Sequence, residues 1–242
     1  MKRFHLILSC FFLFVFANNL FAQDDSTADA NAVKDQEVNL LMPKDIKIAD
    51  YGFDLRLAGF VPNPMTNKAL KESFIGVYGA SAIFDANIYK GFFVGGGFQN
   101  ELLSTVNNQA ATFIMYMQVD NAVGRMGYLQ QVGDIVFFSY ALDAGWNFTK
   151  FTSVVVPTGF QPKNKYTYTN AFVGAETTLF LLLQDHFAIG LNLTLDVMDK
   201  TFDPSFVYLD QFRSYNNSDK KGMTSYLNLG FGLYYGFHKR KK

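Results

Sequence analysis

The segment Phe187 to Met198, FAIGLNLTLDVM, sets bulky apolar side chains at Phe187, Ile189, Leu191, Leu193, Leu195 and Val197 against small or polar ones at Ala188, Gly190, Asn192, Thr194 and Asp196. Successive side chains of a β-strand point to opposite faces of its sheet, so alternation this regular specifies a strand with two unlike faces. It leaves open whether the apolar face meets a protein core or lipid.

The pattern recurs from Tyr51 onward. Phe53, Leu55 and Leu57 oppose Asp54, Arg56 and Ala58; Ala111, Phe113, Met115, Met117 and Val119 oppose Thr112, Ile114, Tyr116, Gln118 and Asp120. Val136, Phe138, Tyr140, Leu142, Ala144 and Trp146 oppose Ser139, Ala141, Asp143, Gly145 and Asn147. Leu227, Leu229, Phe231, Leu233, Tyr235 and Phe237 oppose Tyr226, Asn228, Gly230, Gly232, Tyr234 and Gly236. No segment of comparable strength has a helical period, which makes the chain all-β.

Composition separates the two readings of the apolar face. Charged residues make up 17% of the chain, below the roughly 25% of soluble domains, while 49% is hydrophobic and 17% aromatic. The polar faces carry mainly Gly, Ala, Ser, Thr, Asn and Tyr, with a thin scatter of charge at Asp54, Arg56, Glu101, Asp143, Glu176 and Asp196, which suits a confined lumen better than open water. Charge concentrates instead between the runs, at 61–73, 161–165 and 199–222. Phe187 to Val197 spans about 33 Å of strand, which a tilt of roughly 40° reduces to about 25 Å, the height of an outer-membrane barrel's apolar band. The bulky face therefore reads as lipid-facing. A formal net charge of zero gives no support to nucleic-acid binding.

At the start of the chain, Lys2 and Arg3 precede an apolar run from Phe4 to Ala17, and the small residue Ala22 ends a plausible cleavage site. Residues 1–22 read as a secretory signal peptide cleaved after Ala22. The run is shorter than the roughly 20 residues of a spanning helix, and Asn18 and Asn19 interrupt it. A rival reading acylates Cys10 in a lipobox, but the apolar region continues past that cysteine. Cys10 is the only cysteine, so cleavage leaves no disulfide or thiol chemistry. Residues 23–49 form a polar lead segment, 50–237 the alternating region and 238–242 a basic tail.

Strands are expected near 51–60, 73–86, 90–103, 109–119, 122–132, 134–147, 150–159, 166–182, 185–199 and 222–237. Tight connections at 87–89, 120–121, 148–149 and 183–184 then alternate with longer ones at 61–72, 104–108, 160–165 and 200–221, as in transmembrane barrels with short periplasmic turns and longer outer loops; the short connection at 133 is an exception. Ten strands are favoured. Dropping 122–132 and 150–159, the latter with Pro157 near its end, leaves eight, the alternative count.

The signal peptide, the aromatic-rich alternating strands and the closing GLYYGF together resemble the small outer-membrane β-barrel proteins of diderm bacteria, of the OmpX and OmpW type; the FAQ ending of the signal is similar to those of the Bacteroidota. The resemblance implies a transmembrane antiparallel up-and-down β-barrel over about 50–237 in the bacterial outer membrane. Its partners would be outer-membrane lipid, the outer-membrane assembly machinery and a surface or envelope protein. Gly232, Tyr235 and Phe237 are similar to the terminal assembly signal of such barrels, while the tail HKRKK departs from members that end on the aromatic residue.

Within that frame Arg56 and Arg125 are expected to bridge to some of Glu101, Asp143, Glu176 and Asp196. The arrangement reads either as an ion-paired plug or as a narrow cation-preferring path, since four acids outnumber two arginines. Trp146 and Phe148 near one edge, and Tyr166 and Tyr168 near the other, are expected as aromatic girdles. The loop 200–221, with Phe202, Phe206, Tyr208, Phe212 and Tyr215, reads as a surface-interaction loop or as a segment folded over the barrel mouth. Enzymes of this family place a histidine near the outer rim. Here His5 lies in the signal, His238 in the tail and His186 beside a periplasmic turn, so no catalytic residue is assigned. No cluster has metal-ligand spacing, and GGGF at 95–98 lacks the Lys and helix of a phosphate loop, so no cofactor is implied. The expected function is structural or surface-interacting through the outer loops, with a narrow cation-preferring channel as the alternative.

Overall fold

The structure is a computed structural model that describes residues 51–106, 114–155, 165–184, 186–207, 209–211 and 214–238. The segments expected as signal peptide (1–22) and lead segment (23–49), and all of the tail but His238, lie outside the described residues.

Eight strands run in chain order: β1 Tyr51–Pro64, β2 Phe74–Tyr89, β3 Phe92–Thr105, β4 Ile114–Val132, β5 Val136–Val155, β6 Lys165–Gln184, β7 Phe187–Met198 and β8 Ser225–His238. Each pairs antiparallel with the next, and β1 pairs with β8 from Tyr51↔His238 to Pro64↔Tyr226, which closes the barrel and leaves no sheet edge. At one end the connections are tight. Lys90 and Gly91 both take positive φ, 45° and 89°, the backbone twist of a two-residue hairpin, and Gly133 does the same (71°) between β4 and β5. The opposite end carries the long connections. One of these holds a single short helix, α1 Lys68–Ser73, capped by the Asn67 side chain, which accepts from the Leu70 amide.

The count is eight, not the favoured ten. The sequence divides each of the long strands β4 and β5 in two, at 120–121 and 148–149, because Asp120, Asn121 and Thr149 look like turn residues. The ladder runs through them without a break, as Asp120↔Phe148 and Asn121↔Asn147. Asn121, Asn147 and Thr149 all point into the lumen and bond to one another: Asn147 Nδ2 donates to Asn121 Oδ1 (2.6 Å) and Thr149 Oγ1 donates to Asn147 Oδ1 (2.6 Å). Buried polar groups that find partners do not end a strand.

Alternation sorts the faces. Along β7, Ile189, Leu191 and Leu193 are exposed while Ala188, Asn192, Thr194 and Asp196 are buried, so the bulky set faces outward. β1 and β8 follow the same rule, with Phe53 and Leu57 out against Asp54 and Arg56, and Phe231 out against Asn228 and Tyr234. The upper part of β4 reverses it. Met115, Met117 and Val119 are buried inside and Tyr116 is turned out, contrary to the expectation that the bulky face meets lipid throughout. The reason lies in strand length. At 19 and 20 residues, β4, β5 and β6 outrun the 12 to 16 of the other strands and project as a three-stranded wall. On β5 the outward series is apolar up to Trp146 and Phe148 and then becomes Lys150 and Thr152; on β6, Thr169 and Thr167 continue it. Above Phe148 the outer face of β5 and β6 is polar while Met115, Met117 and Phe151 are buried inside, as in a sheet in water. Phe138 to Phe148 is ten steps of strand, again about 25 Å along the barrel axis, so the apolar belt ends where the membrane should.

Candidate functional site

The lumen is stacked in three layers. At the tight-turn end Phe93, Leu129, Phe137, Phe180, Leu182 and Tyr234 form an aromatic floor, with Phe137 and Phe180 stacked at 4.8 Å and Tyr234 edge-on to Phe137 at 5.2 Å. At the mouth a second apolar cluster gathers Phe74, Leu103, Met115, Met117, Phe151, Met198 and Tyr226 from the strands with Phe202, Val207 and Leu209 from the loop 199–224. Between them lie the charges.

Alternation sends Asp54, Arg56, Asp85, Glu101, Arg125, Asp143, Glu176 and Asp196 inward from seven of the eight strands, and all are buried. Arg56 Nε stands 3.0 Å from Asp54 Oδ1 and 2.8 Å from Asp85 Oδ2, while its Nη1 donates to Ser139 Oγ (2.5 Å). Arg125 reaches Glu176 through Nη2 (2.8 Å) and Nη1 (3.4 Å) and lies within 3.7 Å of Asp85 and 3.6 Å of Asp143 through Nε. Asp85 and Glu176 thus each serve both arginines, since Arg56 Nη1 is also 3.9 Å from Glu176. Phe93 caps the arrangement from below, its ring 4.7 Å from the Arg56 guanidinium and 5.5 Å from that of Arg125.

Room for these carboxylates comes from glycine. A Cβ on Gly95 would lie 2.0 Å from Asp85 Oδ1, and one on Gly174 would lie 2.4 Å from Asp196 Oδ1. Gly95, the first glycine of the GGGF run, is therefore part of the charged layer, holding space opposite Asp85.

Glu101 and Asp196 sit outside the arginine network. Gln99 Nε2 donates to Glu101 Oε1 (2.6 Å) and Asp196 Oδ2 (3.2 Å), and Asn228 Nδ2 donates to the same two oxygens at 3.0 and 3.1 Å. Neither acid has an ion pair with a Lys or Arg among the described residues. The layer holds six acids against two arginines, two more acids than the expected bridging set: Asp85 comes from β2, whose alternation is weak in sequence, and Asp54 shares the inward face of Arg56.

The remaining candidates fall as follows. Trp146 and Phe148 are exposed on the outer face (64% and 47%), at the upper margin of the apolar belt. Tyr166 and Tyr168 are not at the other edge and do not face lipid. Thr149↔Tyr168 and Phe151↔Tyr166 put them at the same end as Phe148, and both turn inward onto Phe151, at 6.5 and 6.0 Å. Inward parity on β6 follows from Glu176, which lies an even number of residues away, a signal present in the sequence. Aromatic residues do line the lower margin, where Phe92 packs on Tyr128 at 4.9 Å and Tyr235 on Phe237 at 5.0 Å, the latter two being outward residues of the closing segment; Gly232 faces the lumen. Phe202, offered as a surface contact, is fully buried, wedged between Phe74 (5.8 Å) and Phe151 (5.9 Å). Tyr215 is half-buried with its hydroxyl 2.8 Å from Ser73 Oγ. Phe206 lies in the single-turn 3₁₀ helix Pro204–Val207, and Tyr208 and Phe212 lie outside the described residues. His186 sits at the tight-turn end, its Nδ1 2.8 Å from the Gly236 carbonyl and its ring stacked on Tyr235.

A closed barrel with an apolar outer belt, aromatic margins and a filled polar lumen has the faces that a barrel crossing a membrane with strands needs. The architecture is a closed antiparallel up-and-down barrel of eight strands. In fold the chain is similar to Neisserial surface protein A (12% identity over 77% of this chain and 97% of that one, TM-score 0.45) and to Ail, the attachment invasion locus protein of Yersinia pestis (10%, 76% and 99%, 0.42). The outer-membrane protease OmpT of Escherichia coli is also similar (6%, 76% and 96%, 0.37). No protein-family model and no curated protein sequence matches the chain. At these identities the likeness is one of fold.

Proposed function

We propose that this chain resides in the bacterial outer membrane as a plugged barrel and acts at its outer end, through the wall of β4 to β6 and the loop 199–224. The observation that carries this reading is the stack in the lumen. A continuous layer of buried ion pairs lies between two apolar layers, and interiors of about eight strands are just filled by side chains. The barrel then serves as a membrane-anchored mount, with outer-membrane lipid around it, the assembly machinery as its route into the membrane, and a surface or envelope protein as the partner of the outer loops. The reading is non-catalytic, supported by His186 lying at the end opposite the mouth and held to the Gly236 carbonyl.

The second reading, a narrow cation-preferring path, draws on one observation, the excess of acid at Glu101 and Asp196. It requires both apolar layers to part. Vesicles carrying the refolded protein, with and without residues 200–221, distinguish the two. The surface reading expects no ion release from either, and adsorption of the intact form alone to isolated cell envelopes. Cation release that falls when Glu101 is replaced by Gln overturns it in favour of the path.

A further inference from the structure

The loop 199–224 does more than cover the mouth: it fills a cup that the barrel builds without it. Phe74 on β2, Leu103 on β3, Met115 and Met117 on β4, Phe151 on β5 and Tyr226 on β8 supply the wall, and Phe202, Val207 and Leu209 are the contents. The cup belongs to a closed strand ladder. The contents are attached differently. At the foot of the loop the Met198 amide donates to the Thr224 carbonyl (2.8 Å) and the Asp199 amide to the Ala171 carbonyl (3.0 Å), and beyond that no strand pairing holds the described residues of the loop. It crosses to the α1 side of the rim chiefly through side chains. Asn67 Nδ2 donates to the Phe202 carbonyl (3.1 Å), and Lys68 Nζ reaches Asp219 Oδ1 (2.9 Å), whose backbone carbonyl also accepts from the Ala69 amide (3.1 Å). Asp203 takes the Ser205 amide (2.9 Å) and pairs with Lys220 (3.8 Å); despite partial burial these hold its carboxyl below the usual carboxylate range, so both ends of the loop are tied to each other as one body. Gly222, at φ 111°, provides a pivot at the β8 end.

We infer that the loop is a latched stopper: the Lys68–Asp219 pair holds it down from the rim, and when that pair is loosened Phe202, Val207 and Leu209 leave the cup together while the barrel beneath stays closed. The inference rests on asymmetry of attachment. Segments held by few backbone bonds open locally at low cost, whereas the closed ladder opens only with the whole fold. The latch itself is half in water, with the Lys68 side chain 58% exposed, so salt should screen it. It concerns the loop named in the proposed function but does not need a surface partner to exist.

Three methionines report on the cup, Met115 and Met117 from β4 and Met198 from β7, each at most 1% exposed. Hydrogen peroxide passes one oxygen to a thioether sulfur, giving sulfoxide and water, and it does so only where the sulfur is reached. The full chain, refolded in vesicles, is treated with peroxide and the oxidation of each methionine followed by mass spectrometry, alongside K68Q and F202A, with native electrophoretic mobility confirming an intact barrel. The expected result is slow oxidation of all three in the natural protein, a rise of about two- to fivefold in K68Q in parallel at the three sites, and a faster rate still in F202A. Added salt should speed the natural protein and leave K68Q unchanged. Equal rates in K68Q and the natural protein overturn the latch. Oxidation of Met115 and Met117 without Met198 overturns the stopper in favour of fraying of β4, and slow oxidation in F202A shows the cup to be sealed by something other than the loop.

Discussion

Arg125 on β4 and Glu176 on β6 meet across the strand that separates them, with Nη2 to Oε1 at 2.8 Å and Nη1 to Oε2 at 3.4 Å, both side chains buried. The intervening strand contributes Asp143, 3.6 Å from Arg125 Nε, so three consecutive strands are tied together inside the lumen as well as through their ladder.

Removing one member leaves the others charged and short of partners in a buried site, which costs far more than the pair itself contributes. Glu176→Gln and Arg125→Met should each destabilise the barrel by about 3–5 kcal/mol, read as a fall in unfolding free energy in denaturant titrations of vesicle-refolded protein. A loss under about 1 kcal/mol would mean that the layer is hydrated and loosely held.

The upper membrane boundary is placed between Phe148 and Lys150. Phe231, 75% exposed on the outward face of β8, lies in the belt, and Thr167, outward on β6, lies above it. Phe231→Arg should cost about 2–4 kcal/mol in a bilayer, and Thr167→Arg about 0.5 kcal/mol or less by the same titration. Equal costs would move the boundary or dissolve the wall.

Continuity of β4 and β5 depends on the lumenal rung of Asn121, Asn147 and Thr149. Asn147→Leu strands the Asn121 side-chain oxygen and takes away the acceptor of the Thr149 hydroxyl, at a cost of about 1–3 kcal/mol. Amide hydrogen exchange should quicken around 119–123 and 145–149, where the sequence suggests turns, and stay slow along β7.

On Gly95→Ala the new methyl group would lie 2.0 Å from Asp85 Oδ1 and 2.4 Å from the Phe84 carbonyl oxygen. Both the Asp85 carboxylate and the β2 backbone must then shift, with a loss of about 1–3 kcal/mol. Combining Gly95→Ala with Asp85→Asn should cost less than the sum of the two, because both act on the same contact.

What the sequence discloses follows from what alternation can and cannot carry. The period of two placed Arg56, Asp143 and Asp196 in the lumen and Leu191 and Phe231 on its outside, because parity is a local property of a strand. Strand number needed more. Asp120-Asn121 and Phe148-Thr149 look like turns until Asn147 is seen to complete a cross-strand rung, a relationship between residues 26 apart in sequence. Polarity in the upper wall inverts for a similar reason: β4 to β6 outrun the apolar belt, and Met115 and Met117 line a mouth that Phe202 fills from a distant loop. The same aromatic-rich loop reads in sequence as an adhesive surface, and burial of Phe202 depends on the shape of the mouth, which no periodicity records.

The closed lumen is tested most directly by single-channel recording of refolded residues 23–242 in a planar bilayer, with folding confirmed in the same preparation. The predicted result is a silent bilayer, for the natural protein and for the form lacking 200–221 alike, since the charged layer and the aromatic floor remain beneath the loop. Reproducible cation-selective steps from folded protein would contradict it, and would turn Glu101 and Asp196 from parts of a plug into the lining of a path.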